Sequence, residues 1–187
     1  MGGNPTKRLL IIVENHGFVP ANRESLISYL RQTFNNLFIV NDVRVASDHI
    51  EIDVFCDDLK NLGKVNEFSK LMFFRDLSRF EFNGDIFKKV IELFNSERFW
   101  EVHELLEILW RKAEGKEKSL LHGLILTAAA LVHIQRNNIT RAASIFKRAL
   151  YEMKDFSGTY NGINVSLIKM KILDMIEKNE FKPFKIE

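Results

Sequence analysis

The spacing of apolar residues changes once along this 187-residue chain, and that change limits what the chain can fold into. Before about residue 81 the clearest pattern is alternation. Ile50, Ile52, Val54 and Cys56 alternate with His49, Glu51, Asp53 and Phe55, as in a strand with one buried face. From Asp85 onward apolar residues recur every three or four positions, the period of an amphipathic helix. The expected fold class is therefore α+β, with an N-terminal domain over 1–81 and an all-helical one over 82–187.

In the first part, residues 8–14 read as a strand. Pro20-Ala21-Asn22 opens a helix carrying Leu26, Ile27, Leu30 and Phe34. Residues 37–46 and 49–56 form a hairpin around Ser47-Asp48, with a helix at about 58–72 and a strand at about 73–80 to follow. The order βαββαβ is the ferredoxin-like signature. The second part is expected to be a five-helix antiparallel bundle of segments 85–95, 98–113, 117–137, 139–154 and 164–179, joined by short links. Gly115 suits a left-handed cap between two of these helices, and Gly123 with Ala128-Ala129-Ala130 suits close helix packing. Glu81-Phe82-Asn83-Gly84 is too short to act as a flexible linker, so the halves are expected to dock, with the first able to cover the bundle or to form a homo-oligomer.

Composition removes several classes of function. Residues 1–81 hold 10 Lys and Arg against 11 Asp and Glu, and the remainder 17 against 14, so neither half has the basic excess of a dedicated nucleic-acid binder. On the open face of the sheet, Glu51 and Asp53 around Phe55 would repel phosphate, which argues against RNA recognition. Cys56 is the single cysteine, excluding an internal disulfide and agreeing with a reducing, cytoplasmic setting. The run Leu9 to Val13 is too short for a signal-peptide core, and Leu120 to Ile134, 15 residues with two histidines, is expected to be a buried helix rather than a membrane span.

Chemistry concentrates in His103-Glu104-Leu105-Leu106-Glu107-Ile108-Leu109-Trp110. At about 100° per residue His103, Glu107 and Trp110 lie within about 60° of one another, at the edge of an apolar arc of Phe99, Val102, Leu105, Leu106 and Leu109, with Glu101 on the far side. A histidine and a carboxylate at i and i+4 can bind a divalent metal when a third ligand comes from a facing helix. His122 and His133 are the candidates, and about 16 Å of helix rise separates them, so they cannot share one ion. Arg136, near the His133 face, could hold a carboxylate. The alternative is a structural network, His103 to Glu107 or Glu107 to Arg136, since a buried carboxylate needs a partner. His-Glu-x-x-Glu lacks the second imidazole of the zincin motif, so protease chemistry does not follow.

Phe94, Phe99, His103, Glu104, Glu107, Trp110 and Arg111 resemble the first half of the family catalogued as domain of unknown function 309. Gly123-Leu124-Ile125, Ala130-Leu131, His133, Arg136-Asn137, Ala142 and Ala149-Leu150 resemble its second half. The resemblance implies an all-helical bundle whose polar motif has been suggested to bind metal, with the label of metal-dependent hydrolase. On this chain it points to His103, Glu107 and His133 as metal ligands, with Glu104 either supporting those ligands from behind or acting as the general base. Trp110 and Arg136 would then face a small-molecule or peptide ligand. His122 stands where the family pattern has glutamine.

Overall fold

The computed structural model describes residues 7–77 and 82–186. They divide into two compact units, Met1–Glu81 with Gln135–Asn137, and Phe82–Ile134 with Asn138–Glu187. The first is a four-stranded antiparallel sheet with helical segments, and the second is helical apart from one small hairpin.

In the first unit β1 (Lys7–Glu14) precedes a 3-10 turn at Pro20–Asn22 and α1 (Arg23–Thr33). Strands β2 (Ile39–Val45) and β3 (His49–Cys56) form the expected hairpin. A 3-10 segment, Leu59–Glu67, then leads to β4 (Leu71–Asp76). The sheet order is β2-β3-β1-β4. Leu9, Ile11, Val13, Ile50, Ile52 and Val54 on one sheet face pack with Leu26, Leu30 and Phe34 of the α1 region. The alternation in β3 thus put the right residues on the covered face.

Two expectations are corrected by the fold. Where an α-helix was expected at about 58–72, the chain forms a shorter 3-10 segment. Its apolar residues Leu59, Leu62, Val65 and Phe68 recur every three positions, the 3-10 repeat, and Gly63 weakens an α-helix at its centre. The last strand ends at Asp76, and residues 78–80 of the expected strand, Phe80 included, lie outside the described residues.

The second correction concerns Glu51 and Asp53, which were expected to face water. They are 0% and 1% exposed, and each is paired. Arg8 grips Asp53 with two hydrogen bonds, at 3.0 and 2.6 Å. Arg44, itself buried, bonds Glu51 through Nε and Asp42 through Nη1 at 3.0 Å. Asp42 also accepts from Arg23 at 2.9 Å and from Arg136, whose segment groups with this unit. Arg44 lies opposite Glu51 in the β2/β3 register, so the cross-strand neighbours have opposite charges. Burial alone would raise the Asp42 and Glu51 carboxyls, but the surrounding cations outweigh it and hold both below the ordinary carboxylate values. Burial would lower His49, but the neighbouring Glu51 carboxylate and the hydrogen bond to Asp48 prevail and keep it above the ordinary imidazole value.

The second unit contains α2 (Ile86–Asn95), α3 (Phe99–Trp110), α4 (Gly115–Gln135), α5 (Ile139–Glu152) and α6 (Val165–Lys178). Side chains of Asp85, Asn138 and Asn164 accept hydrogen bonds from the free N–H groups of the first turns of α2, α5 and α6. Glu97, Asn137 and Asn179 take left-handed backbone just after α2, α4 and α6. The next N–H then reaches back to the carbonyls of Leu93, His133 and Met175, which stops each helix. Val90, Phe94, Val102, Leu106, Leu124 and Ile168 surround one small void at the common core of α2, α3, α4 and α6. Strands β5 (Thr159–Tyr160) and β6 (Ile163–Asn164) meet at Asn161-Gly162, both with positive φ, as a two-residue hairpin turn of this type requires.

At 21 residues α4 is longer than the apolar run read from the sequence, and by length and composition alone it could cross a bilayer. However, 67% of its most apolar window is buried inside the protein, the pattern of a core helix. Gly123 lets it approach α5 closely. A Cβ there would lie 2.3 Å from Met153 Cγ and 3.1 Å from the Ala149 carbonyl oxygen.

Helix propensity alone would make Gly123→Ala stabilising by about 1 kcal/mol. Overpacking against α5, at about 1–3 kcal/mol, is expected to outweigh it and lower the melting temperature; a raised one would contradict the close approach. Glu51→Gln, which removes one of the two carboxylates that pair with Arg44, is expected to cost about 3–5 kcal/mol in urea unfolding. The lowered carboxylates stabilise above their ordinary values of 3.8 and 4.5, and this contribution is lost as pH falls through the folded values. The raised His49 stabilises fully below its ordinary value of 6.5 and stops doing so as pH rises through its folded value. Melts across pH should therefore peak between those limits, and His49→Gln should flatten the alkaline side. An unchanged alkaline side would refute the His49 assignment.

Candidate functional site

Helix α3 turns Phe99, Val102, Leu105 and Leu106 inward, and Phe99 meets Phe94 edge-on at 5.2 Å. That fixes the rotation of the helix and leaves His103, Glu104 and Glu107 on its margin, each with about a third of its side chain exposed. His103 Nδ1 lies 3.5 Å from Glu104 Oε1, and His103 Nε2 lies 3.8 Å from Glu107 Oε1. Arg111, one turn further on, donates to the other oxygen of Glu107 at 3.0 Å. Glu107 therefore bridges a histidine and an arginine along one helix face, a pattern of i, i+4 neighbours.

The strip continues across the next two helices. The Trp110 ring lies 6.0 Å from that of His122 on α4, and Lys118 Nζ sits 4.9 Å from the Trp110 ring centre. His122 Nδ1 in turn lies 3.3 Å from Glu152 Oε1 near the end of α5. The register of α3 and α4 thus sets His122 at Trp110. Lys118 and Glu152 carried no signal in the sequence, because only the helix pairing brings them to Trp110 and His122. Close by, the Tyr160 hydroxyl bonds Glu117. Burial first, and then that carboxylate, push its phenol up to about 12.

Other residues of the sequence-based site lie elsewhere. Arg136 pairs with Asp42, so it is not the partner of Glu107. Glu101, placed by the helical wheel on the far side, is fully buried and paired with Arg98. His133 lies near the end of α4, where its carbonyl oxygen accepts the N–H of Asn138. Among the described residues no three His, Cys, Asp or Glu side chains are arranged to hold a metal ion. His103 and Glu107 offer two donors, and one of them is also engaged by Arg111. This donor set does not form a closed metal site.

Residues 87–145 match the model of a domain of unknown function (DUF309), the C-terminal half identified by the His-Glu-x-x-Glu-x-x-Trp residues. An uncharacterized protein from Aquifex aeolicus (strain VF5) is 28% identical over 118 residues, 63% of this chain. The match spans only 34% of that relative's own length. A crystal structure of a conserved hypothetical protein from Thermus thermophilus is 27% identical, covering 51% of this chain and 99% of its own, with a TM-score of 0.45.

If Glu107 were buried, its removal would cost several kcal/mol. At 33% exposure its pairs with His103 and Arg111 are solvent-screened, and Glu107→Ala is expected to cost less than about 1 kcal/mol in thermal or urea unfolding. A loss above about 3 kcal/mol would show that Glu107 anchors a buried network.

Proposed function

We propose that the helical unit is a non-catalytic binding module whose His-Glu-x-x-Glu-x-x-Trp residues form a recognition strip for a ligand or partner. The observation that carries this reading is the mutual engagement of the strip's own side chains, from His103 and Glu107 with Arg111 to Trp110 with His122 and His122 with Glu152. Such pairings set the orientation of half-exposed polar and aromatic groups before a ligand arrives, which reduces the ordering cost of binding. In the first unit, the sheet order β2-β3-β1-β4 supports a ferredoxin-like reading, with the 3-10 segment in place of the second crossover helix.

The competing reading is a metal-dependent hydrolase. It is favoured by His103 Nε2 and Glu107 Oε1 lying 3.8 Å apart on adjacent turns and open to solvent. His103 and Glu107 would be protein ligands, and His133 would have to move toward them to serve as the third. A metal bound there would supply an acidified water, and Glu104 would accept its proton. Melts with and without chelator, on the wild type and on His103→Ala, separate the two. The binding module predicts no chelator effect and no stoichiometric metal in the purified protein. A chelator-induced drop in melting temperature that His103→Ala abolishes would overturn it in favour of the metal site.

A further inference from the structure

We propose that α6 and the segment after it form a site for a small polyanion bearing two linked phosphate groups. A cavity of about 440 Å³ opens there, within the range of roughly 300–1,000 Å³ typical of small-molecule sites. Lys171, Lys178, Lys182 and Lys185 line it, against Asp174 and Glu180. It shares no residue with the α3 strip.

Local structure accounts for one of the four lysines. Lys178 Nζ lies 2.6 Å from Asp174 Oδ1, in the last turn of α6, where a cation stabilises the negative helix end. Lys171, Lys182 and Lys185 enter no ion pair among the described residues. Two carboxylates and the roughly half negative charge of the helix end cannot balance four ammonium groups, so a positive excess faces the cavity. Lysines on a loose chain would drift apart to relieve that repulsion.

Here the chain is held. After the left-handed Asn179, the Phe181 ring stacks on Phe146 at 6.4 Å and the Phe184 ring meets Phe94 at 5.4 Å. Asn95 then clamps Ile186 with two side-chain to backbone hydrogen bonds, at 2.9 and 2.8 Å. Lys182 and Lys185 therefore sit on an anchored segment opposite Lys171 and Lys178. A concave cavity with lysines on both walls suits one compact, highly charged anion, because ammonium groups bind phosphate as point charges. Met175 and Phe184 add apolar surface for an organic group carried by the diphosphate.

The test is calorimetric titration of the full chain at near-physiological salt with inorganic pyrophosphate and, separately, with ADP. Saturable one-to-one binding of at least one probe is expected, weakened at least tenfold in Lys182→Ala/Lys185→Ala and unchanged in Lys147→Ala/Arg148→Ala, a control on the exposed side of α5. Equal binding of both probes assigns recognition to the diphosphate alone, whereas tighter ADP binding assigns part of it to the organic group. Absence of saturable binding by either probe, or equal weakening in the two double variants, would overturn the proposal. All four substituted positions are exposed, so matching melts confirm that folding is intact.

Discussion

A charge removed from water must meet its opposite, and this constraint shapes the sheet unit more than any apolar contact. Taking Arg44, Asp42, Glu51 and Asp53 out of solvent carries a penalty of several kcal/mol per ion. Arg8, Arg23 and Arg136 offset it by sharing the carboxylates of Asp42 and Asp53, and Arg44 does the same for Glu51. Apolar packing already opposes a one-residue slip, which would turn the covered face of the strand outward, and the network opposes it as well. A slip of one residue along β2 would move Arg44 away from Glu51 and leave both buried without their partner. The network thus contributes register as well as energy.

The same constraint, weakly applied, defines the α3 strip. Its histidines and glutamates are pre-oriented by neighbours yet remain a third exposed, so water still shares in stabilising them. Breaking one pair costs little, and a ligand can exchange partners with these groups without exposing a buried charge. That availability suits recognition better than structural support. It also explains why a motif can be specific as a sequence pattern while adding little to stability.

Legibility followed locality. Helix limits in the second unit could be read because Asp85, Asn138 and Asn164 cap, and Asn137 and Asn179 stop, through bonds within a few residues of themselves. The His103 and Glu107 pair was equally local, whereas the cation on Glu107 is Arg111, one turn further on, and not Arg136. The 3-10 segment is foreshadowed by the three-residue spacing of Leu59, Leu62, Val65 and Phe68, and the Asn161-Gly162 hairpin by a dipeptide that is itself a turn signal. What lay beyond local reading was the far side of the sheet. Alternation assigned Glu51 and Asp53 to the correct face, but whether that face is wet depends on residues distant in sequence, such as Arg8 and Arg136. The opposite charges of Asp42 and Arg44 on β2 and of Glu51 and Asp53 on β3 were the available hint. In the same way, Glu152 reaches His122 only through helix pairing.

The reading of the α3 strip as a binding module depends on His103 and Glu107 engaging protein neighbours rather than a metal ion. The side-chain nitrogen resonances of His103 in isotope-labelled protein, recorded before and after one equivalent of zinc, read this out at the atoms concerned. Both nitrogens are expected to keep their shifts, because among the described residues no three His, Cys, Asp or Glu side chains are arranged to hold a metal ion. A saturating displacement of the His103 Nε2 resonance at one equivalent would contradict that engagement.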